Sequence, residues 1–311
     1  MKCSFCNSKN IIKNGLRKNK YETKQIYLCK KCNKTFFLEK RNIKNKTYKP
    51  IVIYSALNLY NRGYSLRKIS KEINRRYKVK TNKSTIHNWI FEYKKLCPII
   101  KYNKEIRKNK EKLILKKRFE HINLEYEYML HFFKLEKIVK DKYKGLYGFL
   151  KNFEKGCPNV FFEIGLRCSE PFKKIKVKCV EKKNYACRAA DFSVLACSKN
   201  ILRHKFVEDF MLINDRSTVA SEVPVWYWDK KIDEGVTGHI DILQVRNKKV
   251  YILDYKPNAK KDKKASSQLF YYAKALSYRT KISLDKIVCA WFDKDSYFEF
   301  RPNTINLKYC K

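Results

Sequence analysis

Two aspartates interrupt what otherwise reads as an apolar hairpin in the stretch "GHIDILQVRNKKVYILDYKP", Gly238 to Pro257. Val245 and Val250 bracket the polar turn RNKK. If those two valines pair, antiparallel register puts Leu243 opposite Ile252, Asp241 opposite Asp254 and His239 opposite Lys256. Side chains alternate across a strand, so these last four residues form one polar cluster at the open end. Ile240, Ile242, Tyr251, Leu253 and Tyr255 are expected to point the other way. Directly opposed carboxylates repel, and burial makes one of them keep its proton. A divalent cation reverses that sign, because both aspartates offer the oxygen ligands that Mg²⁺ or Mn²⁺ takes. Lys256 stands beside them, placed to orient a water or to balance charge on a phosphate. Such a set is equipped for metal-assisted hydrolysis of a phosphodiester. The blander alternative is an Asp–Lys ion pair at a strand end.

A second group sits at the other end of the chain. Cys3-x2-Cys6 and Cys29-x2-Cys32 supply four thiolates in two knuckles, the donor set of tetrahedral zinc. The segments between them read as short strands of a ribbon. A core of this size needs a staple to hold it, so the metal is expected to be structural. The knuckle "CKKCNKTFF" is basic and aromatic, as a nucleic-acid surface would be.

The elements that must position these groups follow from period and punctuation. Pro50 opens a helix and Gly63 closes it. Ser65 caps a second helix carrying Leu66, Ile69 and Ile73. Ser84 or Thr85 is expected to cap a third, with Ile86, Trp89 and Ile90 inward. This is the size and order of a DNA-reading tri-helical unit. Lys83, Ser84, His87 and Asn88 would then meet base edges or phosphates in a major groove. From about Lys101 to Lys144 an apolar stripe (Leu115, Phe119, Ile122, Tyr126, Met129 or Leu130, Phe133) reads as one or two amphipathic helices. Cys157, Cys168, Cys179, Cys187 and Cys197 fit no zinc knuckle and are expected to be packing residues.

Bulk properties agree with a nucleic-acid partner. Net charge is +42, from 72 basic and 30 acidic residues, and a polyanion is the default partner for such a charge. Residues 201–250 break the trend with 8 basic and 8 acidic residues. Apolar residues make up 44% of the 311-residue chain, which argues against wholesale disorder. No run approaches the ~18 apolar residues of a membrane helix, and MKCSFC is no signal core. A cytoplasmic protein that binds no membrane is the expectation.

Two resemblances sharpen this reading. "CSFCNSKN…YLCKKCNKTFF" followed by "GYSLRKISKEI…STIHNWI" resembles the N-terminal region of insertion-element transposases, a zinc ribbon followed by a helix-turn-helix. That resemblance implies recognition of double-stranded DNA. Asp241-x12-Asp254-Tyr255-Lys256 resembles the PD-(D/E)XK nuclease superfamily, in its RecB-like branch. The resemblance implies that His204, in "NILRHKFVEDFML", is a further helical metal ligand, with Glu208 one turn later as second choice. It implies an acidic role for Glu222 in the strand "STVASEVPVWYW". It also implies that Gln268 and Tyr272, the Gln-x3-Tyr of "SSQLFYYAKAL", support the site and contact the DNA backbone. Its iron–sulfur variants carry a cysteine triplet after the core; only Cys289 and Cys310 follow here, so no cluster is expected.

The expected organisation is multidomain. A zinc ribbon covers 1–45, an all-α helix-turn-helix 48–97 and a charged helical linker 98–150. An α/β restriction-endonuclease-like domain with a mixed central sheet covers 151–311. The expected activity is Mg²⁺- or Mn²⁺-dependent DNA hydrolysis, with a homodimer as one route to cutting both strands. A non-catalytic DNA-binding regulator of a mobile element is the competing class, and RNA the less favoured substrate.

Overall fold

The computed structural model describes residues 2–18, 23–37, 47–121, 123–168, 180–182, 184–230 and 233–305. Ile122, Cys179 and Cys310 lie outside them.

At the N-terminus β1 (Ile11–Lys18), β2 (Thr23–Cys29) and β3 (Thr35–Phe36) form a small antiparallel sheet. Among the described residues only Cys3, Cys29 and Phe36 are buried in its core, so side-chain packing contributes little and the thiols must hold it. Three helices follow: α1 (Pro50–Asn61), α2 (Leu66–Tyr77) and α3 (Lys83–Glu92). Pro50 opens α1 and the Ser65 hydroxyl caps α2 by accepting from the Lys68 N–H. The cap of α3 is Asn82, not Ser84 or Thr85: its side chain accepts from the Thr85 N–H at 2.8 Å. An asparagine oxygen reaches the N3 amide, so the helix starts earlier than expected. Ile86, Trp89 and Ile90 are buried as expected, while Leu66 is only half-buried.

After the short α4 (Asn103–Lys108) the expected helical stripe is instead a hairpin. Strands β4 (Ile114–His121) and β5 (Leu124–His131) pair antiparallel from Ile114↔His131 to His121↔Leu124. The reason lies in "LEYEYMLH": Glu125 and Glu127 alternate with Tyr126 and Tyr128, a period of two that a helix cannot use. Asn123, in the left-handed region at φ 59°, turns the chain. The hairpin is followed by α5 (Phe132–Lys134), α6 (Lys144–Asn152), α7 (Asn159–Glu163), β6 (Leu166–Arg167), β7 (Val180–Lys182), α8 (Tyr185–Ala196) and α9 (Arg203–Asn214). Then come β8 (Thr218–Asp229), β9 (Glu234–Arg246), β10 (Lys249–Tyr255), α10 (Ala265–Thr280), β11 (Ile287–Phe292) and β12 (Tyr297–Phe300).

The main sheet is mixed, in the order β4-β5-β8-β9-β10-β11-β12-β7, with β6 added parallel to β9. β10 and β11 are parallel, joined through α10. One apolar layer packs Leu243, Val250 and Ile252 against Leu269, Tyr272 and Leu276 of α10 and Leu146 and Leu150 of α6. The other packs Ile242, Leu253, Tyr255 and Phe292 against α8, α9 and the three N-terminal helices.

The tri-helical unit is thus not a bead on a string. The Tyr54 hydroxyl of α1 donates to the Phe206 carbonyl of α9 at 2.9 Å, and the Tyr54 ring stacks on Phe206 at 5.1 Å. Asn61 donates to the Asn214 side chain at 2.7 Å, and Asn214 donates to Asn58 at 2.6 Å. These amides are buried, so losing the central one strands its partners. Asn214→Ala is expected to cost about 1–3 kcal/mol. In urea melts, Trp89 fluorescence and far-UV circular dichroism should follow one shared transition in the wild type; separate midpoints would contradict the common core.

Candidate metal and carboxylate site

The β9–β10 hairpin has the expected register as far as Leu253 and Ile242, where the ladder ends before the expected Asp241–Asp254 and His239–Lys256 pairs. Val245 pairs with Val250 and Leu243 with Ile252. Asn247 and Lys248 make the turn, with φ of 50° and 55°. Two successive left-handed residues form the tight hairpin turn whose twist suits the strands it joins.

One side chain departs from the expected faces. The β8–β9 ladder pairs Ser221 with Ile242 and Val223 with Ile240, but skips the step between them, where Glu222 meets Asp241. Glu222 is left-handed there, at φ 50°, a conformation that costs a non-glycine residue stability and concentrates at functional sites. Beyond that kink Ile240 joins the α10 layer, while Ile242 joins the α9 layer. Asp241 sits where β9 changes faces, and its carboxylate reaches α9.

There it meets His204. His204 Nδ1 lies 3.8 Å from Asp241 Oδ2, too far for a hydrogen bond. The ligand atoms of His204, Glu208 and Asp241 lie within 4.8 Å of one another. His204 and Glu208 are four apart on α9 and share a face. Asp254 stands outside that trio. Its side chain is 1% exposed and its Oδ2 lies 2.8 Å from Lys256 Nζ. Neither oxygen of Asp254 accepts a well-aligned hydrogen bond, so the ion pair is close but leaves lone pairs aimed at nothing. The Lys256 N–H is anchored to the Phe292 carbonyl at 2.9 Å, which fixes the residue at the end of β10.

Electrostatics divide the acids. Burial, and then Asp241, hold Asp254 well above the usual carboxylate range. Burial also opposes ionisation of Asp241, but the nearby His204 and Asp254 side chains and the charge of Lys256 outweigh it and lower its pKa. Burial raises Glu208, with Glu222 and Asp241 adding to it. Burial and Asp241 push Glu222 up to about 8. Lys256 is opposed by burial, yet Asp254 and Asp241 raise its pKa, so it stays charged. His204, Glu208 and Asp241 together offer two carboxylates and one imidazole close enough to share one metal ion.

His239, unexplained by sequence, is a wall. Its ring stacks on Tyr126 of β5 at 3.4 Å and 7° between planes. Burial, helped by His121 and Arg167, lowers its pKa to about 3, so the imidazole is neutral. Tyr126, held by a 2.5 Å hydrogen bond from Arg167, was missed as a site neighbour because β5 had been read as helix; its period-two alternation was the signal. Lys205, which donates to Glu127 of β5 at 2.6 Å, likewise links α9 to that hairpin.

Gln268 and Tyr272 meet on α10: the Gln268 amide donates to the Tyr272 hydroxyl at 2.8 Å. A Cβ on Gly238 would lie 2.4 Å from the Tyr272 ring, so the glycine of "GHID" is the space that Tyr272 fills. The recognition residues expected in α3 (Lys83, Ser84, His87 and Asn88) are all exposed. At the N-terminus the four thiols gather into one group able to hold a metal ion. Cys3–Cys32 and Cys6–Cys29 sulfurs lie 3.7 and 3.5 Å apart, close to the ~3.8 Å edge of a tetrahedron with zinc–sulfur bonds of about 2.3 Å. Cys157, Cys168, Cys187 and Cys197 form no disulfide and join no metal-holding group among the described residues.

No family model matches the chain, and neither a curated protein nor a solved structure does. Among the described residues no helix is long and apolar enough to cross a membrane.

Gly238→Ala should force the Tyr272 ring aside and cost about 1–3 kcal/mol by overpacking. Urea denaturation of Gly238→Ala, Tyr272→Leu and the double variant checks this: the double variant should recover part of the loss.

Proposed function

We propose that this chain is a DNA-binding, divalent-metal-dependent nuclease that hydrolyses phosphodiester bonds. The observation that carries the reading is the convergence of Asp241, Asp254 and Lys256 from one hairpin with His204 and Glu208 from α9. Glu222, opposite Asp241, completes the acidic wall. Mg²⁺ or Mn²⁺ would be held by Asp241, His204 and Glu208, with Asp254 alongside. When bound, it supplies charge that polarises a phosphoryl oxygen and lowers the pKa of water.

The protein's own residues do the rest. Lys256, charged and 22% exposed at its side chain, donates hydrogen bonds to the phosphate or to the attacking water. Its raised pKa makes it a donor rather than a proton acceptor. Asp254 fixes the Lys256 ammonium through the 2.8 Å ion pair. Gln268 and Tyr272 line the α10 side, where the strand's backbone would pass.

Targeting falls to the other end of the chain. Zinc is the ion that four thiolates at this spacing suit. The exposed face of α3, with Lys83, Ser84, His87 and Asn88, meets double-stranded DNA. Cutting both strands takes a homodimer or two successive nicks.

Closed circular plasmid incubated with Mg²⁺ or Mn²⁺ should be opened. Asp254→Ala and Lys256→Ala should each lower the rate about a thousandfold, the scale of losing one charge-stabilising group. Cleavage surviving both substitutions would remove the site from consideration.

A pH dependence follows from Glu222. Its folded pKa of about 8 lies above its ordinary 4.5, so its proton favours the fold fully below pH 4.5 and that contribution is lost as pH rises through 8. Losing that proton puts a negative charge beside Asp241, which strengthens the hold on a cation there. The rise in Tm caused by Mn²⁺ should therefore be larger at pH 8 than at pH 6, as differential scanning fluorimetry would show. Glu222→Gln should flatten the difference.

A further inference from the structure

Away from the acidic site, a cavity of about 480 Å³ opens between α6, the loop that follows it, β8 and the end of α10. Its walls are aromatic and cationic: Phe149, Phe153 and Trp226, with Arg279, Lys155 and the Asn152 amide. No carboxylate lines it among the described residues. The Arg279 guanidinium lies 4.1 Å over the Trp226 ring, and its Nε donates to the Trp226 carbonyl at 2.8 Å. The cation is therefore preset on an aromatic floor rather than loose in solvent. Phe149 stands 6.0 Å from the same ring at 43°. Trp226 is 5% exposed, and its indole N–H has no hydrogen-bond partner, although a buried indole ordinarily finds one.

Those features select a ligand class. An aliphatic ligand would need no cations, and a bare phosphate would need no rings. Flat surfaces, two cations and an amide together suit a nucleobase that carries a phosphate, since bases stack on aromatic rings and on arginine planes. The volume lies within the usual range for small-ligand sites. One buried ring, Phe161, stands between the cavity's Trp226 and His239 at the edge of the acidic site. Phe161 is packed 5.5 Å from Trp226 on one side and 5.4 Å from His239 on the other, and His239 is two residues from Asp241.

We infer that this cavity binds an unpaired nucleobase together with its phosphate, belonging to the strand whose backbone lies at Asp241 and Lys256. The strand as source rests on the nuclease reading; the cavity's ligand class does not. A nucleotide free in solution has the same chemistry and is the other source.

The test uses the full, zinc-loaded chain in buffer free of Mg²⁺ and Mn²⁺ and without chelator, so that neither cleavage nor a catalytic ion takes part. Decathymidylate carrying one 5-iododeoxyuridine is photo-crosslinked in one arm, and free 5-iododeoxyuridine monophosphate in the other. The strand should crosslink to peptides containing Phe149, Phe153 or Trp226. Arg279→Gln should reduce that yield about tenfold, the scale of one lost stacking and charge contact, without changing the yield on α3. Lys155→Ala, at an exposed position that folding does not depend on, should reduce it in the same direction. Arg279→Lys should restore only part, since charge returns without the plane. Crosslinking of the free nucleotide to the same peptides, lost in Arg279→Gln, would assign the same ligand class with a loose nucleotide as a source. Crosslinks confined to α3 and the ribbon, or equal yields in wild type, Arg279→Gln and Lys155→Ala, would overturn the inference. Because no cleavage is measured, an inactive plasmid assay leaves this result intact, and the reverse also holds.

Discussion

The two-residue turn at Asn247 and Lys248 governs the acidic end of the sheet. Its left-handed pair locks Val245 onto Val250, and from there each strand counts out to one aspartate. A one-residue slip would send Asp254 to the opposite face, away from Asp241 and against the apolar layer under α9. The turn is polar and exposed, far from the acids, yet it decides whether they meet. The apolar pairs between them, Leu243 with Ile252 and Ile242 with Leu253, supply the burial that makes the register worth keeping. The electrostatic tension at Asp241 and Asp254 is therefore sustained by hydrophobic packing a few residues away.

That tension has a direction. A chain of net charge +42 has cations to spare, yet among the described residues Lys256 alone pairs with Asp254, and burial holds Glu208 and Glu222 above the usual carboxylate range. Burial explains why: long cationic side chains stay at the surface, and the space among the acids is enclosed by β5, β8, β9 and α9. Stacked on Tyr126, the neutral ring of His239 closes one side without adding charge. The left-handed backbone at Glu222 belongs to the same economy, since a regular strand there would keep Asp241 paired and its carboxylate away from α9.

Much of this was legible in the sequence, and the exceptions share a cause. The β9–β10 hairpin was readable because turn and alternation lie within 20 residues. The three N-terminal helices were readable from Pro50, Gly63 and Ser65, whose effects are local. The β4–β5 hairpin was misread because Leu115, Phe119, Tyr126 and Phe133 satisfy a helical stripe as well as a strand face. Only the Glu–Tyr alternation distinguishes them. What could not be read were encounters between distant segments. The stack of His239 on Tyr126 joins residues 113 positions apart in the numbering, and nothing local marks either as a partner. The tight fit of Gly238 under Tyr272 is of the same kind. The packing of α1 on α9 rests on Tyr54, Asn58 and Asn61, which look in sequence like ordinary helix residues.

That last contact ties the two ends of the molecule together. Helix α9 carries His204 and Glu208 toward Asp241, and between them Phe206 gives its carbonyl and its ring to Tyr54 of α1. A single helix thus has the acidic site on one side and the tri-helical unit on the other. About two turns after Phe206, Asn214 is clamped by Asn58 and Asn61. Because helices move as rigid bodies over such short lengths, displacing α1 would displace α9, and with it two of the side chains that face Asp241. The exposed face of α3 belongs to the same packed unit as α1. A load on α3 is therefore delivered to α9 through buried contacts rather than through a flexible tether. The exposed face of α3 and the acidic site share one core, and the spacing between them is set by that core.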